Sequence, residues 1–188
     1  EILIDKKNLN KVNPDDWRKM LAVVSQNNYL FNISLEDNIK FGRPNAKKEE
    51  IDDALNLSNS SFFVKQLQKK LKTMISEGGK NLSVGQIQRI AIARALLAKK
   101  PLLIFDEITS AQDIESENKI KSSLKKLKGK KTMIVVAHRL GLIRDADKIF
   151  VMDKGKLIES GSHNQLIAKK GIYNKLYKKY LLETNDAS

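Results

Sequence analysis

"KNLSVGQIQRIAIARALL", residues 80–97, joins a small polar turn to a strongly apolar stretch. Ser83 is a good N-cap, and Ile87, Ile90, Ala91 and Ala95 recur at helical spacing, which predicts a core-facing helix over 83–99. A helix start leaves backbone N–H groups unpaired beside a partial positive charge. Ser83, Val84, Gly85 and Gln86 therefore offer donors to an anion such as a phosphate, and they equally suit an ordinary capped helix.

Outward from this helix, short apolar runs alternate with helical patterns, which predicts an α/β fold: a parallel sheet covered by helices. Pro101 ends the helix, and "LLIF" (102–105) reads as a buried strand. Ile120, Leu124 and Leu127 form the next helical stripe, followed by the strand "TMIVVA" (132–137). "KIFVMDKGKLIES" (148–160) reads as a hairpin turning at Asp153-Lys154-Gly155, and Ser162 to Gln165 cap a further helix. Upstream, Ile2–Ile4 and Ala22–Ser25 read as strands, with a helix between them opened by Asn13-Pro14-Asp15-Asp16. Ser34 starts a short helix, and Ile51, Ala54 and Leu55 mark another, so the middle of the chain reads as an inserted helical layer.

The chain has 188 residues, 41% of them hydrophobic, which suits one domain with a sizeable core. Without cysteine there is neither a disulfide framework nor a thiolate metal site, which fits a reducing compartment. No apolar run approaches the ~20 residues of a membrane helix. The net charge of +13 comes mostly from lysine, on solvent-type helix faces (Lys119, Lys121, Lys125, Lys126, Lys128) and on the tail (Lys169, Lys170, Lys175, Lys178, Lys179). Aromatic interleaving for base stacking is absent, so solvated faces explain the charge better than a nucleic-acid groove. Glu1 is not an initiator methionine, as expected of a chain beginning inside a longer protein.

Four candidate residues follow strands, at the sheet edge where open α/β folds place ligands. Asp106 and Glu107 come directly after "LLIF": one acid can hold a magnesium ion while its neighbour acts on a water. His138 ends "TMIVVA", where an imidazole can donate to a phosphoryl oxygen or orient a water. Gln26 follows "AVVS", and its amide can ligate a metal or hold a water. Solvated loop acids and a structural histidine are the competing readings.

In order along the chain, five motifs resemble the nucleotide-binding domain of ATP-binding cassette (ABC) transporters: "VVSQ" its glutamine loop, "LSVGQIQRIAIARALL" its signature motif and helix, "PLLIFDEITSAQD" its Walker B strand and D-loop, "VVAHRL" its switch histidine, and "VMDKGKLIESGSHNQLI" its closing hairpin and helix. "QNNYLFNISLEDNIKFGR" resembles the exporter segment that receives the coupling helices of the membrane domain, and "SEGGKNLSVGQ" the exporter linker before the signature. The resemblance implies a P-loop NTPase core, 1–26 and 100–188, with a helical subdomain over about 27–99. It implies ATP and Mg2+ as cofactors, a transmembrane domain and a second nucleotide-binding domain as partners, and a place at the cytoplasmic face of the membrane. Glu107 would polarise the attacking water, Asp106 hold magnesium, His138 contact the γ-phosphate, and Gln26 sense metal and water. Ser83, Val84, Gly85 and Gln86 would cap the γ-phosphate of ATP held by the opposite subunit, with Asp113 on the D-loop between the sites.

The match has departures. No G-x-x-x-x-G-K-[ST] occurs in these residues, so the lysine-bearing phosphate cradle is not among them, and the 188-residue chain alone is expected to bind ATP weakly without hydrolysing it. Val84 replaces the second glycine of the signature, where a branched side chain limits positive φ and close approach to a phosphate. With Glu107 intact, that substitution suggests unequal sites in a pair of different halves. Gln112 replaces the usual D-loop leucine. Two alternative functions remain: an ABC-type ATPase acting on nucleic acid, favoured by the charge, and an inactive remnant that only binds a partner.

Overall fold

In a computed structural model, which describes residues 1–108 and 114–185, the first apolar run pairs locally: β1 (Leu3–Ile4) lies antiparallel to β2 (Lys7–Asn8). The helix α1 (Pro14–Met20) starts as its sequence predicts, with Asn13 Oδ1 accepting from the Asp15 amide at 2.8 Å and proline in the first turn. It leads into β3 (Leu21–Val24), one residue ahead of the expected run. Four helices follow: α2 (Leu35–Lys40), α3 (Lys48–Leu57), α4 (Ser61–Gln66) and α5 (Val84–Leu97). Then come β4 (Leu102–Asp106), α6 (Ile114–Leu127) and β5 (Thr132–Val136). The strands form a parallel sheet in the order β3-β4-β5, with Val24 opposite Phe105 and Asp106 opposite Val136.

A hydrophobic cluster drawn entirely from residues 30–97 fills the helical layer, with Leu30, Leu35, Ile39, Ile51, Ile75 and Ile90 at its centre. Its helix α5 is not the one-sided amphipathic helix expected. Gln88, Arg89, Ile92, Ala93 and Leu97 are buried together with Ile90, Ala91 and Ala95, because α2, α3 and β3 all pack against it. β4 also runs one residue past "LLIF", so Asp106 ends the strand instead of following it. On α6, Ile120, Leu124 and Leu127 are buried as predicted, but Lys119 and Lys121 are half-buried. Lys126 is not simply solvated either, because its ammonium donates to the Asn56 carbonyl (3.3 Å) and to Asn59 Oδ1 (2.9 Å), tying α6 to the α3–α4 turn.

The chain divides into two compact units, 1–136 and 137–188. In the second, β6 (Ile149–Asp153) and β7 (Lys156–Gly161) form the predicted hairpin. Its two-residue turn, Lys154-Gly155, has φ of 46° and 74°, the positive values that match the twist of the strands. A reciprocal pair between Ser162 and Gln165 caps α7 (His163–Ala168). The start of α8 (Ile172–Asn185) is capped by the Glu159 carboxylate, which accepts from the Ile172 amide at 2.6 Å and the Tyr173 amide at 3.1 Å. Leu140, Ile149, Leu166 and Tyr173 make this unit's core. Burial pushes the Tyr173 hydroxyl up to about 12. It also holds His163, whose Nδ1 is 2.8 Å from that hydroxyl, below the usual imidazole value.

Candidate functional site

Three predicted residues share the carboxyl edge of the parallel sheet. Gln26 lies two residues past the end of β3, Asp106 closes β4, and the Glu107 amide donates to the Val136 carbonyl at 2.9 Å, carrying the ladder one residue beyond the strand. Glu107 then turns the chain with φ of 49°, a left-handed conformation that costs a non-glycine residue about 1 kcal/mol. Asp106 is exposed and Glu107 half-buried, so two carboxylates face an accessible edge. His138 follows β5 by two positions in the chain and is an exposed residue of the second unit. Asp113 lies outside the described residues.

The signature turn is closed on itself. Ser83 Oγ accepts from the Gln86 amide at 3.2 Å, and Gln86 Oε1 accepts from the Ser83 amide at 2.9 Å, a reciprocal cap that satisfies two of the four N–H groups. The Val84 and Gly85 amides are left facing the helix start. Val84 is the first residue of α5 and has no positive φ, so its branched side chain strains no backbone, contrary to expectation. What it brings is bulk, because Val84 is 58% exposed at the mouth of the turn.

Segment 27–42 is bound tightly to α5. Asn28 Nδ2 donates to the Ser25 carbonyl at 2.7 Å and to Gln88 Oε1 at 2.8 Å. Arg94 reaches from α5 to the Asn38 carbonyl (2.8 Å), Asn38 Oδ1 (3.1 Å) and the Tyr29 carbonyl (3.1 Å). Burial holds this guanidinium below its ordinary value, and it sits over the stacked rings of Phe31 and Phe41. Tyr29, Phe31 and Phe41 form an exposed aromatic patch on this segment. Sequence reading missed Asn28, Gln88 and Arg94. The available signal was Gln88 itself, a polar residue placed one turn before Ile92 on an otherwise apolar helix face.

The edge fits magnesium in one respect. That ion keeps several waters and takes one or two carboxylates beside its phosphates, which Asp106 and Glu107 can supply. Among the described residues no group of three or more histidine, aspartate or glutamate side chains forms a dedicated metal cage. For ATP the fit is partial: donors at the signature turn are present, while the glycine-rich cradle is not among these residues.

A family model described as ABC transporter matches residues 1–110. The ATP-dependent lipid A-core flippase 1 of Colwellia psychrerythraea is 47% identical over 94% of this chain. The serine protease/ABC transporter B family protein tagD of Dictyostelium discoideum is 42% identical over the same share. The structure of a bacterial Atm1-family ABC exporter with ATP bound superposes with a TM-score of 0.87 at 37% identity, covering 94% of this chain and 31% of that one. The chain spans 29% of the flippase and 10% of the Dictyostelium protein. None of these relatives supports a nucleic-acid role. Among the described residues no helix is long and apolar enough to cross a membrane.

Proposed function

Because the chain belongs to the ABC transporter family, we propose that it is the ATP-hydrolysing part of an exporter and drives a transmembrane domain from the cytoplasmic face of the membrane. The observation that carries this reading is the sheet edge, where Gln26, Asp106 and Glu107 stand together in a chain whose relatives are named flippases and exporters. Glu107 orients and polarises the attacking water from the left-handed turn that follows β4. Asp106 and Gln26 hold the magnesium that neutralises phosphate charge, and His138 donates to the γ-phosphate. Ser83 to Gln86 cap the ATP of a second nucleotide-binding domain, and Asp113 lies between the two sites. Residues 27–99 act as a helical subdomain, whose Tyr29, Phe31 and Phe41 patch receives the transmembrane domain. The relatives' names share ATP-driven transport but not a cargo.

The test is magnesium-dependent ATP hydrolysis by the intact gene product in lipid vesicles. Glu107→Gln should lower turnover by about 10²- to 10⁴-fold while leaving the thermal unfolding midpoint in place. A wild-type protein without turnover, or a variant as fast as wild type, would overturn the reading.

A further inference from the structure

Asn28 is the point where the glutamine loop and the signature helix are joined. Its amide group donates in two directions. The bond to the Ser25 carbonyl (2.7 Å) closes the turn 25–28 that carries Gln26, and Ser25 Oγ, donating to the Asn27 carbonyl at 3.1 Å, tightens the same turn. The bond to Gln88 Oε1 (2.8 Å) crosses 60 residues of sequence to α5, five positions past Ser83. Gln88 is 3% exposed, and among the described residues its Nε2 has no hydrogen-bond partner. A buried amide with half its capacity unmet is less favourable than an apolar side chain of the same volume. Packing therefore does not account for glutamine at this position, whereas the acceptor it gives Asn28 does.

We propose that Asn28 and Gln88 are positioning residues whose hydrogen bond makes the Gln26 turn and the start of α5 one body. The placement of Gln26 and that of the capping turn Ser83–Gln86 are then set together instead of separately. Loss of the bond frees the turn 25–28 to change shape while α5 stays packed in its layer. This inference rests on the exporter reading for the roles of Gln26 and the signature turn.

The experiment compares Asn28→Ala, Gln88→Met and the double variant in the intact gene product in vesicles, reading ATP turnover, thermal unfolding and amide hydrogen exchange. Each single change should lower kcat about tenfold with the KM for ATP altered less than about twofold, and the double variant should fall no further. Asn28→Asp should not recover the rate, because even if the Gln88 amide rotates to donate to the new carboxylate, that carboxylate has no donor for the Ser25 carbonyl that Asn28 Nδ2 now meets at 2.7 Å. Gln88→Met, which keeps volume and removes the unmet donor, carries the test if Asn28→Ala folds poorly. Additive losses in the double variant, or a lowered unfolding midpoint with unchanged kcat, overturn the proposal. A wild-type protein without turnover overturns the exporter reading instead, and exchange then decides the tie. Faster exchange at 25–28 in Gln88→Met supports it, and unchanged exchange there ends it.

Discussion

The helical layer and the parallel sheet place their apolar residues differently. Within residues 30–97, Leu30, Leu35, Ile39, Ile75 and Ile90 have no exposed surface. In the sheet, register puts Val24, Phe105 and Val135 on one face and Val23, Ile104 and Ile134 on the other. The first face is covered, while Val23 is 53% and Ile134 50% exposed on the second. Strands of parallel sheets are apolar on both faces, so burial on one face alone is an incomplete use of their sequence. The layer, in contrast, closes its own core. Cohesion in the first unit thus comes mainly from the helices, while the sheet contributes the edge on which Asp106 and Glu107 stand.

The sharpest way to break that comparison is a matched pair of truncations. Ile90→Ala should cost about 2–5 kcal/mol of stability, because it opens a cavity in a closed core. Ile134→Ala should cost under about 1 kcal/mol, because half of its side chain already meets solvent. Chemical unfolding of each variant measures both, and equal losses would mean that the sheet carries as much of the stability as the layer.

Acid sharpens the same contrast with a smaller effect. Glu50, on α3, is held down to about 2, chiefly by its hydrogen bond to Lys99, then by the Lys47 amide, with Arg43 at 3.0 Å adding to the field. A carboxyl whose folded value is depressed stabilises the fold above its ordinary value near 4.5, and that contribution disappears as pH falls through 2. Between pH 5 and 3 the wild-type unfolding midpoint should therefore fall more than that of Glu50→Gln, and added salt should shrink the difference. Parallel slopes would remove this strap from the account of how the layer is held.

Local chemistry explains what the sequence revealed. The caps at Asn13, Ser34, Ser83 and Ser162, the turn at Lys154-Gly155 and the apolar strands are all written within a few residues of themselves. The caps and the turn stand where the patterns put them, and the strands fall within a residue of their expected runs. The short α4, whose Ser60 makes no side-chain cap, gave no such signal. Neither did the left-handed backbone at Glu107. The burial of α5 on every side and the Asn28–Gln88 bond depend on partners tens of residues away, which periodicity cannot register. All four candidate edge residues could be picked out because strand ends are local features. The web that braces Gln26 could not.

The smallest effect concerns Val84, where helical layer and chemistry meet. Its backbone is helical, so a glycine there would relieve no left-handed strain. Any gain must come from removing bulk beside the Val84 and Gly85 amides, the two donors that the Ser83–Gln86 cap leaves over. Against that gain stands glycine's helix penalty, at most about 1 kcal/mol and smaller at the first helical position. Val84→Gly should therefore lower the unfolding midpoint slightly and raise ATP turnover of the intact gene product about threefold, on the order of 0.6 kcal/mol in the barrier. Turnover that stays level or falls would show that bulk at the turn does not limit the cap. The case for two unequal sites, which rests on an altered signature beside an intact Glu107, would then have no support from this residue.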